Sequence, residues 1–358
     1  MAEKGESKEE GITDEYLAER KSMVGTKFDI QDKRNELACK ETMVNFACGV
    51  GDDNPLYNDE EYAKKTRYGC LVAPPSWLYS TIPMIEQPEV DPSGTAIRLL
   101  ASGDNWEFYK PVLIGDRIRS DQILAGCEDK VTKTAGRAIF EYHNKLCYNQ
   151  RDELVAKSSS LLIRIGASKE AGEKKNASPI QLPHPWTEEE LEKIEAEIMA
   201  EEVRGDKTRY WEDVQVGEEL PQIVKGPVGI SDEICFFAAC GSYNFRAHKV
   251  LLAKCQEEPS RFFRDPYTHA LESTCIGMRT SKYAAQAYGQ PLPFAWGRQT
   301  ISWAINLLTN WMSDEGWLKK CFADVRGFIY LSEVVWLKGK VTNKYIDENN
   351  EYCVDIET

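Results

Sequence analysis

Two stretches of this chain alternate apolar and polar residues: 106–126 (WEFYKPVLIGDRIRSDQILAG) and 325–345 (VRGFIYLSEVVWLKGKVTNKY), each broken at a turn. Period two is the rhythm of half-buried strands. Each stretch follows a helical pattern. One helix is opened by Ala73-Pro74-Pro75-Ser76 and expected to run to about Ile85; the other is opened by Ala295-Trp296-Gly297-Arg298 and expected to run to about Met312. Asp116 and Glu333 occupy matching places after the two turns. Upstream, Phe46, Gly51 and Asn54 recur as Phe236, Gly241 and Asn244 at identical spacing. The chain thus predicts two halves built to one plan. Between them, ASKEAGEKKNASP reads as a linker. A third pattern starts at Thr187, with a capping box to Glu190 and Leu191, Ile194 and Ile198 on one face. It predicts a strap helix ending at Gly205.

A long helix followed by successive antiparallel strands describes a hot-dog unit. The predicted fold class is α+β, a double hot-dog with two antiparallel sheets, each wrapped on its helix and joined edge to edge. Pairing the sheets covers edges and helix faces that one unit would leave exposed. The expected organisation is a disordered tail over 1–17, an N-terminal unit over 18–166, linker and strap over 167–208, and a C-terminal unit over 209–358. The second unit is short, with about 46 residues after its helix against about 80 in the first. Its last run, EYCVDIET, stops where a further strand is expected. Either the unit is one strand short or another subunit completes it.

Length and charge narrow the function classes. At 358 residues the chain suits two ordinary domains. A net charge of −14 argues against nucleic-acid binding over a broad basic surface. No run of 18 apolar residues suggests a membrane span. The polar start, MAEKGESKEEG, lacks the apolar core of a secretory signal, so a cytoplasmic protein is expected. The 11 cysteines show no CxxC pair and read as buried free thiols. The four histidines are scattered, so no metal site is expected. Without a Rossmann or P-loop pattern, no cofactor is expected either.

The segment with the most chemistry is Gly51-Asp52-Asp53-Asn54-Pro55-Leu56-Tyr57. It resembles the G-D-x-N-P-L-H motif of MaoC-like acyl-CoA hydratases, with Tyr57 in place of histidine. YAKKTRYG (62–69) and VAPPS (72–76) follow at the family's spacing. The resemblance implies the hot-dog fold and reversible addition of water to an enoyl-CoA thioester. It also implies that Asp and His carry acid/base work, while an N–H at the start of the central helix meets the thioester oxygen. A proline has no N–H, so Pro74 and Pro75 cannot supply that donor, whereas Gly297 can. APPS and Tyr57 resemble the substrate-binding, non-catalytic type of unit. The first half is therefore expected to hold the acyl chain and the second the thioester head.

Candidate residues follow. His248 lies one residue beyond the family spacing in Gly241-Ser242-Tyr243-Asn244-Phe245-Arg246-Ala247-His248, and is either catalytic or an ordinary helix-start histidine. Asp52 is either an acid/base group or a loop carboxylate that binds backbone N–H groups. Tyr57 is the third catalytic candidate, as a hydrogen-bond donor. Asn54, Ser242, Tyr243, Asn244, Trp296 and Arg298 are candidates for substrate binding, with a bracing role open for Asn54 and a salt bridge for Arg298. The expected partners are an acyl-CoA substrate and either a second copy or a second hot-dog protein. Two other readings stay open: a non-catalytic acyl-CoA-binding subunit beside a small catalytic partner, and a thioesterase on the same fold.

Overall fold

The computed structural model describes residues 12–28, 35–82, 89–90, 96–132, 136–166, 182–241 and 246–358. Helix α1 (Asp14–Ser22) leads to β1 (Lys27–Phe28), helix α2 (Lys40–Val50) and the single turns α3 (Pro55–Asn58) and α4 (Glu60–Ala63). A 3-10 helix over Pro75–Thr81 precedes β2 (Glu89–Val90) and the strands β3 (Ala96–Phe108), β4 (Arg119–Thr132), β5 (Gly136–Tyr148) and β6 (Leu154–Gly166). The second half brings α5 (Glu188–Met199), β7 (Ile223–Lys225), α6 (Ile230–Ala239), α7 (His248–Glu257), β8 (Phe262–Arg264) and β9 (Leu271–Ser273). Helices α8 (Thr274–Thr280), α9 (Lys282–Ala287) and α10 (Gly297–Met312) follow, then β10 (Lys320–Asp324), β11 (Val335–Leu337), β12 (Lys340–Ile346) and β13 (Tyr352–Glu357).

One large antiparallel sheet dominates, in the order β1-β4-β5-β6-β3-β10, with β2 beside β3. Strand β10 of the second half pairs with β3 of the first, from Lys320 opposite Glu107 to Asp324 opposite Gly103. The halves thus share a sheet edge. A continuous core runs from Phe46, Trp77 and Trp106 in the first half to Phe236, Trp296 and Trp303 in the second.

The matching sequence features face one another. Phe46 and Phe236 are both fully buried, with ring centroids 6.0 Å apart, where α2 packs on α6. The 3-10 helix touches α10. Backbone bonds repeat as well. Ala73 N–H donates to Val112 at 2.9 Å, and Ala295 N–H to Ile329 at 2.8 Å. Ala38 donates to Asp116 at 2.8 Å, and Val228 to Glu333 at 2.9 Å. The Asp116 carboxylate accepts the N–H of Leu113 at 2.9 Å, and the Glu333 carboxylate that of Tyr330 at 2.6 Å. The two acids placed by sequence after the turns thus do one job twice.

Several expectations need correction. Residues 12–17, assigned to a disordered tail, start α1, and Ile12, Tyr16 and Leu17 are buried against Ile97 and Ile139. The capping box at Thr187 and Glu190 forms, but the strap helix stops at Met199 and not at Gly205. The first central helix, expected over about 75–86, is a 3-10 turn ending at Thr81. The sequence explains the stop: Pro83 follows, and a proline disfavours helical backbone at the residue before it. Ile82 has φ −108° and ψ 109°. The second helix occupies 297–312 as expected. The second half does not form a long sheet among the described residues. Its strands are three to seven residues long, split between the β3 edge and three separate pairs, β7 with β11, β8 with β9 and β12 with β13. A turn at Ser332, with φ 82°, and a break at 338–339 interrupt the alternation.

Candidate functional site

The motif loop is built by its own side chains. Helix α2 ends at Gly51, whose φ of 72° is the left-handed cap that glycine adopts without strain. The Asp52 carboxylate accepts the N–H of Asn54 at 3.1 Å. The Asn54 carbonyl oxygen accepts the N–H of Leu56 at 3.0 Å and caps α3, with Pro55 in its first turn. Asn58 donates to the carbonyls of Asp52 and Asn54, both at 3.2 Å. These bonds explain why Asp, Asn and Pro stand at this spacing. From β7, Lys225 reaches across and donates to the Gly51 carbonyl at 2.8 Å.

Asp52 is 5% exposed, and burial pushes its carboxyl up to about 7, against the pull of the Asn54 N–H and of Lys225. Tyr57 is 3% exposed, and burial followed by the nearby charge of Asp52 raises its hydroxyl well above 10. It therefore stays protonated and keeps a proton to donate; Thr309 of α10 hydrogen-bonds to it.

Asn54 and Tyr57 line a cleft of about 590 Å³, counting its open mouth. Its walls come from both halves: Val72 to Pro75, Leu78, Phe108 and Val112 on one side, and Thr309, Met312 to Asp314 and Gly316 to Leu318 on the other. Apolar walls with a few inward polar groups suit a small-molecule site. The helix start at this cleft is Pro74-Pro75, without an N–H to offer.

The structure does not bring the whole predicted set together. His248 is exposed at the start of α7, with φ 52°, and does not line this cleft. Gly297, Trp296 and Arg298 lie at the opposite end of α10 from the cleft-lining Thr309 and Met312. Trp296 is buried against Phe237, ring centroids 4.1 Å apart. Arg298 donates to the carbonyls of Ile82 at 2.8 Å and Tyr79 at 3.4 Å, which end the 3-10 helix. Ser242, Tyr243 and Asn244 lie outside the described residues. Near the α10 start, Glu233 is fully buried with both oxygens lacking a hydrogen-bond partner, and burial pushes its carboxyl up to about 8 against the charge of Arg279. Sequence reading missed Lys225 and Asp314; neither stands in a motif. Among the described residues no cluster of His, Cys, Asp or Glu could hold a metal ion, and no helix is long and apolar enough to cross a membrane.

Residues 22–158 match the family model described as "FAS1-like, dehydratase domain region". This stretch is similar to that dehydratase domain. Over nearly its whole length the chain shares a fold with solved MaoC-like dehydratases. A solved MaoC-like dehydratase superposes with a TM-score of 0.59 at 14% identity, covering 94% of this chain and 97% of that one. A MaoC domain protein dehydratase from Chloroflexus aurantiacus gives 0.54 at 11% identity, covering 93% and 85%. In sequence, a UPF0336 protein of a Parafrankia species is 38% identical over 89 residues, 24% of this chain and 59% of that relative, less than two thirds of its length. A UPF0336 protein of Streptomyces avermitilis is 27% identical over 128 residues, 35% of this chain and 83% of that relative. The FAS1-like dehydratase stretch thus contains Asp52, Asn54, Tyr57 and the Pro74-Pro75 start, while α10 and its C-terminal end lie beyond it.

Proposed function

We propose that this chain is a double hot-dog hydratase or dehydratase of acyl thioesters, adding water to an enoyl-CoA or removing it from a 3-hydroxyacyl-CoA. The observation that carries the reading is the Gly51–Tyr57 loop. It folds as a self-braced turn, places a buried carboxyl that titrates near neutrality, and presents Asn54 and Tyr57 to an apolar cleft. A group titrating near the working pH suits acid/base chemistry. The paired backbone bonds and the shared β3–β10 edge support two hot-dog units related by a pseudo-twofold. The acyl chain takes the cleft walls between the halves. His248 as a proton carrier and Gly297 as an oxyanion donor do not line this cleft, and the reading does not rest on them.

A second reading is an acyl-CoA-binding subunit whose chemistry resides in a partner hot-dog protein. One observation favours it: the described cleft holds tyrosine in place of histidine, and its helix start has no N–H. One experiment separates the two. Purified protein is incubated with a panel of enoyl-CoA and 3-hydroxyacyl-CoA esters, and products are weighed by mass spectrometry. Gain or loss of one water supports the enzyme. Saturable binding of the esters without any mass change would replace it with the binding subunit.

A further inference from the structure

The cleft is lined by a carboxylate that the motif does not supply. Asp314 follows the end of α10, beside Ser313 in left-handed backbone with φ 68°. It is 5% exposed and lines the cleft with Tyr57, Thr309 and Ser313. Its Oδ2 accepts the Tyr62 hydroxyl at 2.5 Å, a contact between residues 252 positions apart. Its Oδ1 is buried and has no hydrogen-bond partner. Bracing Tyr62 would need one oxygen only. Leaving the other buried and unpaired is costly, an arrangement kept more readily at a working site than in a plain scaffold. The main chain is anchored independently, since the Asp314 N–H donates to the Gly205 carbonyl at 2.9 Å. Tyr57 stands within the electrostatic reach of both Asp52 and Asp314, one from each half.

Resting on the hydratase reading, we propose that Asp314 is the general base of this cleft, supplied by the second half in place of the motif histidine, with the Tyr57 hydroxyl as donor to the thioester oxygen. In hydration, the Asp314 carboxylate takes a proton from water while the water oxygen bonds to C3 of the enoyl group. The C2–C3 π pair moves toward the thioester carbonyl, whose oxygen is held by Tyr57. Asp314 then returns its proton to C2, the C–H bond forms, and the carboxylate is restored. The sum is one water added, with no other reactant. Tyr57 thus covers the donor role that Pro74-Pro75 cannot fill.

The groups facing Asp314 set its titration. Burial raises its carboxyl above the usual range, the Tyr62 hydroxyl opposes this, Asp206 and Glu315 add to it, and Arg67 opposes it. The test compares wild type, Asp314→Asn and Asp314→Glu on the ester panel, with acyl-CoA binding measured alongside. Asp314→Asn should lose about 100- to 10,000-fold in kcat while still binding ester, because an asparagine oxygen can accept from Tyr62. Asp314→Glu should recover part of the rate with a displaced acidic limb in its pH profile. If wild type turns over and Asp314→Asn stays within a few-fold of it, the base lies elsewhere and the hydratase reading stands alone. If wild type turns over no ester, both are overturned. Should Asp314→Asn fail to fold, the glutamate variant decides, and an unchanged pH profile would refute the assignment.

Discussion

At the scale of single residues, burial has turned ordinary carboxyls into groups that titrate near neutrality. Asp52 carries its proton up to about 7, where an unburied aspartate would release it near 3.8. Its folded value is raised, so its stabilising effect is complete below the unfolded value and is lost as pH climbs through about 7. A carboxyl raised this far by burial ties about 4 kcal/mol of stability to pH. Asp52→Asn should therefore flatten the fall in stability between about pH 4 and about pH 7, as read by urea unfolding; an unaltered fall would contradict the burial argument. Glu233 poses the same problem without any hydrogen bond. By the spacing that matches Phe46 to Phe236, its counterpart is the fully buried Met43. Glu233→Met should raise stability at pH 9 by about 2 kcal/mol, since a buried carboxylate without a hydrogen bond is costly; a lower unfolding midpoint would show that the carboxylate is needed beside Arg279. The motif loop was readable in sequence because its bonds join residues two to six apart. Lys225 and Asp314 were not, because they reach the site from 174 and 252 positions away.

At the scale of elements, close approach decides more than propensity. Helices α2 and α6 meet at Gly49, where a Cβ would lie 2.9 Å from both the Ala239 Cβ and the Cys235 carbonyl oxygen. No flexible side chain can move aside there. Gly49→Val should cost about 1–3 kcal/mol through overpacking, measured as a lower denaturant midpoint; an unchanged midpoint would mean that the helices can part without loss. The helix at 297–312 was legible because nothing interrupts its pattern. Its partner at 75–86 was misjudged because Pro83 outweighs the apolar spacing around it. The alternation at 325–345 was real, but a turn at Ser332 and a break at 338–339 divide it into separate short pairings.

At the scale of the whole molecule, the sequence repeat became a physical one, with counterpart meeting counterpart at α2–α6, where the 3-10 helix packs on α10, and along β3–β10. The second half still leaves Phe322, Trp336, Ile346 and Tyr352 substantially exposed. Such apolar surface suits a covered face, and light scattering should give at least twice 40.7 kDa or a co-purifying partner. A clean single-chain mass with full activity would remove the assembly claim. The central claim is the chemistry, and heavy-oxygen water tests it most directly. An enoyl-CoA incubated with the protein in that water should return a 3-hydroxyacyl-CoA bearing the heavy oxygen at C3. Heavy oxygen in a released free acid would make the protein a thioesterase, and an unlabelled, intact ester would contradict catalysis by this chain altogether.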